Sequence, residues 1–407
     1  MALGIEAIGA YVGRAFLDVR GMFQARGLDM SRFANLMMER RSVNLPCEDP
    51  VTNAVNAARP LVDALDPAER ERIEVLVVGT ESGLDFGKPI STYIHHHLGL
   101  SPNCRSFEVK HACYGGTAAL QTAAGMVAAN PVPGVKALAV ATDAASATVK
   151  ASYWEPSEGA GAVAMLVGGQ AGVLELDRGA SGFHTFEVMD TLRPRHDMDS
   201  VDPDLSLLAY MRCVEESFAA YRKRVAGADI VDTFAYLAMH TPFAGMVKGA
   251  HRMLLRKQKG FGPREIEADF TSRVVPSLTY GMRVGNTFSA ALYLALCSLL
   301  DHGDFAEPRR VGLFSYGSGC ASEFYSGVVP AGARPAVDIG KALEDRREIT
   351  VDDLDMITDL SADRVFGVRD AVFDPKPYAD LFEDKFEGRG LLVLDRIAEF
   401  HREYRWS

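Results

Sequence analysis

The chain has 407 residues, with 43 basic against 54 acidic side chains, a formal net charge of -11, 48% hydrophobic residues and 24% charged ones. This acidic balance disfavours nucleic acid as a bulk partner, and the length allows two fused core units with a pocket closed from water. Residues 1–16 lack a basic region followed by an apolar run and a small-residue cleavage site, and no later stretch is apolar for long enough to span a bilayer, so the expected setting is the cytoplasm, with no membrane segment. The six cysteines, Cys47, Cys104, Cys113, Cys213, Cys297 and Cys320, form no CxxC pair, which argues against a disulfide framework or a zinc knuckle.

In chain order, strand-like runs alternate with helical patterns. IEVLVVG at 73–79, VKALAVAT at 135–142 and GAVAMLVGG at 161–169 read as strands. The second half repeats the grammar with FAYLAMH at 234–240, a helix over GNTFSAALYLALCSLL at 285–300, and RVGLFSYGSG at 310–319. The reading is α/β, in two similar halves, 1–170 and 171–407. A small-residue turn opens the buried helix in each, KHACYGGTAALQTAAGMV at 110–127 and MRVGNTFSAALYLALCSLL at 282–300. The polar stretch HDMDSVDPDLS at 196–206 and the segment PAGARPAVDIG from 330 read as connections or surface insertions, the latter leading to a charged tail.

Two strand ends and one helix start carry side chains suited to chemistry. Glu81 directly follows the first strand, where α/β proteins place site residues; entering an apolar pocket would raise its pKa, and a surface acid is the competing reading. Cys113 precedes a glycine turn and an alanine-rich helix whose N-terminus would favour a thiolate; the alternative is a small buried hydrophobe. His240 ends an apolar strand, and the bland reading is a satisfied core histidine. Asn286 in Gly-Asn-Thr opens the second buried helix. Within Ser315-Tyr316-Gly317-Ser318-Gly319 the glycines let backbone N–H groups approach closely, which makes the turn a candidate oxyanion hole or a plain glycine turn. A thiol to hold an acyl group, a carboxylate to move a proton and donors for a developing alkoxide are what carbon–carbon condensation requires.

Read together, GTESG at 79–83, ACYGGTAAL at 112–120, HTPF at 240–243, GNTFSAALYLALCSLL at 285–300 and FSYGSG at 314–319 resemble the 3-hydroxy-3-methylglutaryl-CoA synthase family of the thiolase superfamily, in order and approximate spacing over nearly the whole chain. The tail LLVLDRIAEFHREYRWS is similar to the family's C-terminus. The resemblance implies a thiolase-like layered αβαβα fold of two duplicated halves, usually a homodimer, with nucleophile Cys113, acid/base Glu81, histidine His240 and asparagine Asn286. Its supporting acidic positions fall on Asp143 and Asp190, with Tyr316, Gly317 and Ser318 in the turn. It implies acyl groups delivered on phosphopantetheine of an acyl carrier protein or on CoA, and no metal or tightly bound cofactor.

ESGLDFGKP at 81–89, VKHACYGG at 109–116 and the Trp-Ser ending resemble the polyketide β-branching group more than the mevalonate-pathway enzyme that uses acetyl-CoA and acetoacetyl-CoA. A basic patch of Arg40, Arg41, Lys248, Arg252, Arg256, Lys257 and Lys259 would suit an acidic carrier protein, or equally the phosphates of CoA; a solvated helix face is the alternative. His95, His96 and His97 are read as a helix surface, since consecutive helical side chains diverge and no ligand partner stands at the right spacing. Two other classes stay open at this point. One is a ketoacyl synthase III-like or thiolase-like enzyme, which a dispensable Glu81 would favour; the other is a non-catalytic carrier-protein scaffold.

Overall fold

Alternate residues along the first parallel strands face different cores. Val75, Val77, Ala137, Ala139 and Ala141 enter one, while Leu76, Val78, Leu138 and Val140 enter another, all of them buried. A sheet covered on both faces needs such unbroken apolar strands. The computed structural model describes residues 2–145, 149–195, 198–362 and 366–407.

The main sheet comprises β1 (Gly4–Tyr11), β2 (Ile73–Gly79), β3 (Arg105–Val109), β4 (Lys136–Asp143), β5 (Gly161–Gly168), β6 (Leu174–Thr185), β7 (Tyr236–Met239), β8 (Arg309–Gly317) and β9 (Ala321–Val329). Their order is β7-β8-β9-β6-β1-β5-β4-β2-β3. β2 runs parallel to β3 and β4, and β7 parallel to β8, whereas the other pairs are antiparallel. The order β1-β5-β4-β2 is mirrored by β6-β9-β8-β7, and the two sets join where Gly4 and Ile5 pair with Glu175 and Leu174.

Helices fill three layers around these sets. α1 (Pro50–Asp63) covers the outer face of β2, β4 and β5. α2 (Gly115–Ala129) and α5 (Ala291–His302) lie between the two sets, so nearly every residue of α5 is buried. α3 (Pro203–Arg224) and α4 (Ala244–Lys259) cover the outer face of β7, β8 and β9. This is the expected αβαβα layering, and no helix among the described residues is long and apolar enough to cross a membrane.

Two segments depart from the sequence reading. Of the stretch 196–206, residues 196–197 lie outside the described residues, and the rest is no simple connection: Met198–Val201 pairs with Thr191–Arg195 in a ribbon, and Asp202 caps α3 by accepting from Leu205 N–H at 3.0 Å, with Pro203 at the first helical position. An Asp-Pro helix start was legible there and went unread. Beyond 330, helix α6 (Val351–Ala362) packs its Leu354 and Ile357 into a core of its own, and the tail forms a hairpin of Leu392–Ala398 with His401–Trp406. The hairpin is fastened to α1 through Asp49, which accepts from Arg402 at 3.1 Å and Tyr404 at 2.8 Å.

The central helices approach closely only because α2 begins with small residues. A Cβ on Gly116 would stand 2.2 Å from Ser289 O and 2.9 Å from the Ala141 side chain. Gly116→Ala should therefore destabilise the protein by about 2 kcal/mol or more. Gly125→Ala, on the exposed side of the same helix with open space beyond it, should be neutral or stabilising by up to about 1 kcal/mol. Paired thermal and urea melts check both.

Candidate active site

Cys113 is delivered by a sharp turn between β3 and α2. Ala112 takes a positive φ of 40°, Tyr114 N–H donates to His111 O at 3.0 Å, and Gly115 N–H donates to Ala112 O at 3.0 Å. A non-glycine residue in this region costs about 1–3 kcal/mol and is held only by its surroundings. Those surroundings are tight: a Cβ on Gly317 would lie 2.6 Å from both His111 O and Tyr114 N. From below, Tyr114 Oη donates to Glu323 Oε2 at 2.8 Å and Gln121 Nε2 to Glu323 Oε1 at 3.1 Å. Glu323 is almost fully buried, and burial pushes its pKa up to about 7.

Glu81 stands opposite, its Oε2 3.6 Å from Cys113 Sγ. Its loop is organised by Asp143 at the end of β4. Asp143 Oδ1 accepts from Thr80 Oγ1, Glu81 N–H, Ser82 N–H and Ser82 Oγ at 2.8–3.0 Å, and Oδ2 accepts from Ser289 N–H at 2.9 Å and Ser289 Oγ at 2.5 Å. Burial pushes Asp143 upward against the pull of these donors. Glu81 has fewer donors; burial first, then the Asp143 charge, raise it to about 8. Arg193 opposes that rise, with Nη2 3.7 Å from Glu81 Oε1 and Nε held by Asp199 Oδ1 at 2.6 Å.

The thiolate expectation fails here. Cys113 precedes the helix cap, and burial together with the Glu81 and Asp143 charges pushes its thiol well above the ordinary range. The neutral thiol instead points its proton at Glu81.

His240 extends β7 by one residue, donating its N–H to Phe314 O at 2.8 Å. Only 2% of it is exposed, its Nδ1 has no partner among the described residues, and burial alone drops its pKa to about 3, so at neutral pH the ring is uncharged. Asn286 sits five residues ahead of α5, not at its first turn. Its backbone bridges the second set to Ser157 and Gly159, and Oδ1 accepts from Phe288 N–H at 2.9 Å, which leaves its amide NH2 to offer. Glu81, Cys113, His240, Asn286, Tyr316 and Ser318 line one cavity of about 820 Å³. Asp190 and Gly317 are not on its wall. Asp190 accepts from Tyr316 Oη at 2.7 Å and from Gly319 N–H at 3.0 Å, which fixes the 315–319 turn from behind.

Residues 2–172 match the family model described as hydroxymethylglutaryl-coenzyme A synthase N terminal, and residues 263–402 match its C-terminal counterpart. The chain belongs to the hydroxymethylglutaryl-CoA synthase family. It is 48% identical to the polyketide biosynthesis 3-hydroxy-3-methylglutaryl-ACP synthase PksG of Bacillus subtilis, covering 100% of this chain and 99% of that one. It is 37% identical to the hydroxymethylglutaryl-CoA synthase of Enterococcus faecalis over 82% of this chain and 84% of that one. Its structure matches the curacin biosynthetic pathway HMG synthase in complex with acetyl donor-ACP with a TM-score of 0.97, 49% identity and full coverage of both chains. As in these synthases, the fold is thiolase-like.

Within this family member the expected basic patch breaks up. Arg41 is 4% exposed and donates to Glu155 O, and Arg40 lies over the Phe16 ring. Lys257 pairs with Glu215, and Lys259 with Asp229 and Asp232, away from the cavity. Lys248 lines the cavity but pairs with Glu267 at 2.9 Å. Arg252 lines it without an ion pair among the described residues, as does Arg32, which rests on the Tyr153 ring; Arg256 is exposed and off the wall. Of the three histidines, His96 is exposed as a helix-surface residue should be, whereas His95 bonds Ser101 O and His97 packs on Tyr404 and Trp406. Arg32, Arg193 and Asp199 escaped the sequence reading because no motif surrounds them.

The thiol's environment is measurable. Alkylation of Cys113 by iodoacetamide, followed by peptide mass spectrometry, should titrate with a midpoint above that of a free cysteine (about 8.5). Glu81→Gln, which removes a raising charge, should move the midpoint down.

Proposed function

We propose that this synthase installs β-branches on polyketides. Cys113 receives an acetyl group from a donor acyl carrier protein, the acetyl carbon attacks the β-ketone of an intermediate on an acceptor carrier protein, and water releases the product from Cys113. The observation that carries the chemistry is the 3.6 Å approach of the Cys113 thiol to the buried Glu81. A base beside the nucleophile is superfluous for a decarboxylating synthase, which counts against that alternative. Carrier proteins as partners are supported by full-length 48% identity to an HMG-ACP synthase, against 37% over a shorter span for the CoA enzyme.

In this reading ionised Glu81 takes the thiol proton as Cys113 Sγ attacks the donor thioester, and the proton leaves on the departing phosphopantetheine thiol. Glu81 then takes a proton from the acetyl methyl. The resulting enolate attacks the acceptor's β-carbon, and Glu81 returns the proton to the new alkoxide. Neutral His240 and the Asn286 amide act as hydrogen-bond partners for the acceptor carbonyls, and the Ser318 turn offers donors to the thioester oxygen. Hydrolysis breaks the Sγ–acyl bond, leaving a carboxylic acid and the free thiol.

The division of labour follows the two halves, 1–170 supplying Cys113 and Glu81 and 171–407 supplying His240 and Asn286. The reading further assigns acyl groups delivered on phosphopantetheine, no tightly held cofactor, and a cytoplasmic homodimer. Arg32 and Arg252 at the cavity suit an acidic carrier protein.

Intact-protein mass spectrometry after mixing with acetyl-carrier protein should show acetylated wild type and unmodified Cys113→Ala; a wild type that stays unmodified would contradict the mechanism. Arg32→Glu with Arg252→Glu should slow acetylation from the carrier protein by about tenfold, while acetylation from acetyl-N-acetylcysteamine, which has no protein to dock, stays unchanged.

A further inference from the structure

A second cavity, of about 330 Å³, lies beyond Glu81. Glu81 and Arg193 line both cavities, whereas Cys113, His240 and Asn286 line only the first. The partition between them is thin, the 3.7 Å approach of Arg193 to Glu81. Much of the second wall is apolar, with Leu45, Leu84, Leu354 and Ile357 among its residues. Two of its residues hold buried donors without a partner among the described residues, Arg41 Nε and Asn44 Nδ2, and Arg41 is itself 4% exposed.

We infer that the second cavity receives the far end of the acceptor's acyl chain, the part beyond the ketone that reacts. This rests on the condensation reading above. An acceptor presented by a carrier protein enters free end first past Arg32 and Arg252, its thioester staying nearest the entrance, which brings its ketone to Cys113 and Glu81 and leaves the rest of the chain pointing away from the entrance. The space in that direction is the cavity that shares Glu81. A methyl ketone acceptor ends at the partition; a longer chain needs the room behind it. The mostly apolar wall suits a hydrocarbon chain, and the two unpartnered donors suit an oxygen substituent on it. The occupant is thus an oxygenated β-ketoacyl chain several carbons long, and the cavity is a specificity pocket that leaves the bond-forming step untouched.

Thr358 on α6 and Ala145 after β4 lie on different parts of this wall, are half-buried, and play no part in the chemistry. Thr358→Phe and Ala145→Leu would each fill the cavity from its own side. Each variant is first checked for acetylation of Cys113, then assayed with acetoacetyl- and 3-oxooctanoyl-carrier protein as acceptors. The expected result is normal acetylation, near-normal turnover of acetoacetyl, and a fall of at least tenfold in kcat/KM for the long acceptor relative to the short. An unchanged ratio in both variants, or an equal fall for both acceptors with acetylation intact, would overturn the assignment. A wild type that acetylates but does not condense either acceptor would sink the parent reading, and this one with it.

Discussion

The site depends on one buried carboxylate. Asp143 ends β4 and gathers six donors from two loops, Thr80 to Ser82 after β2 and Ser289 ahead of α5. One loop carries Glu81 and the other follows Asn286, so this single group sets the distance between residues from opposite ends of the chain. Hydrogen bonds to a charged group contribute about 1.5–3 kcal/mol each, and leaving such donors unpaired in the core would be costly. The close contact of Gly116 with Ser289 lets the loops come near enough for these bonds to form.

The same carboxylate sets the protonation of its neighbours. Its charge, added to burial, lifts both Glu81 and Cys113, and burial strips His240 of its charge. The resting site therefore holds protons on the groups that must exchange them, with Arg193 as the nearby cation that keeps Glu81 within reach of neutral pH. A carboxyl with a pKa near the working pH is effective both as base and as acid, and a neutral imidazole polarises a carbonyl without adding charge to a dry cavity. Asp190 and Glu323 belong to a further shell. They fix Tyr316 and Tyr114, and through them the two turns that face each other across Cys113.

Much of this was legible in the chain. The strand runs of 73–79, 135–142, 161–169 and 310–319 are predominantly apolar because both faces are covered, and the leucine-rich helix α5 is buried along nearly all its length because it lies between two sheet regions. Glu81, Cys113 and His240 were readable because each follows a strand or turn that ends at the cavity. Less legible were groups whose role depends on three-dimensional proximity. Arg193 and Asp199 sit on a two-stranded ribbon whose strands are too short to carry a pattern, and Arg41 reads as a surface cation although the fold buries it. The state of Cys113 was misread for the same reason: helix position is local, whereas the two carboxylates beside the thiol come from β2 and β4 loops.

The most direct test of Glu81 as the proton-moving group is hydrogen exchange at carbon. Acetylated enzyme incubated in D2O without acceptor, then quenched and weighed as the Cys113 peptide, should gain deuterium in the acetyl methyl. The rate should rise with pH through about 8, where Glu81 ionises, and vanish in Glu81→Gln while the acetyl group remains attached. Exchange that persists in Glu81→Gln, or that slows as pH rises through that range, would show that another group moves the proton and would contradict the assignment on which the mechanism rests.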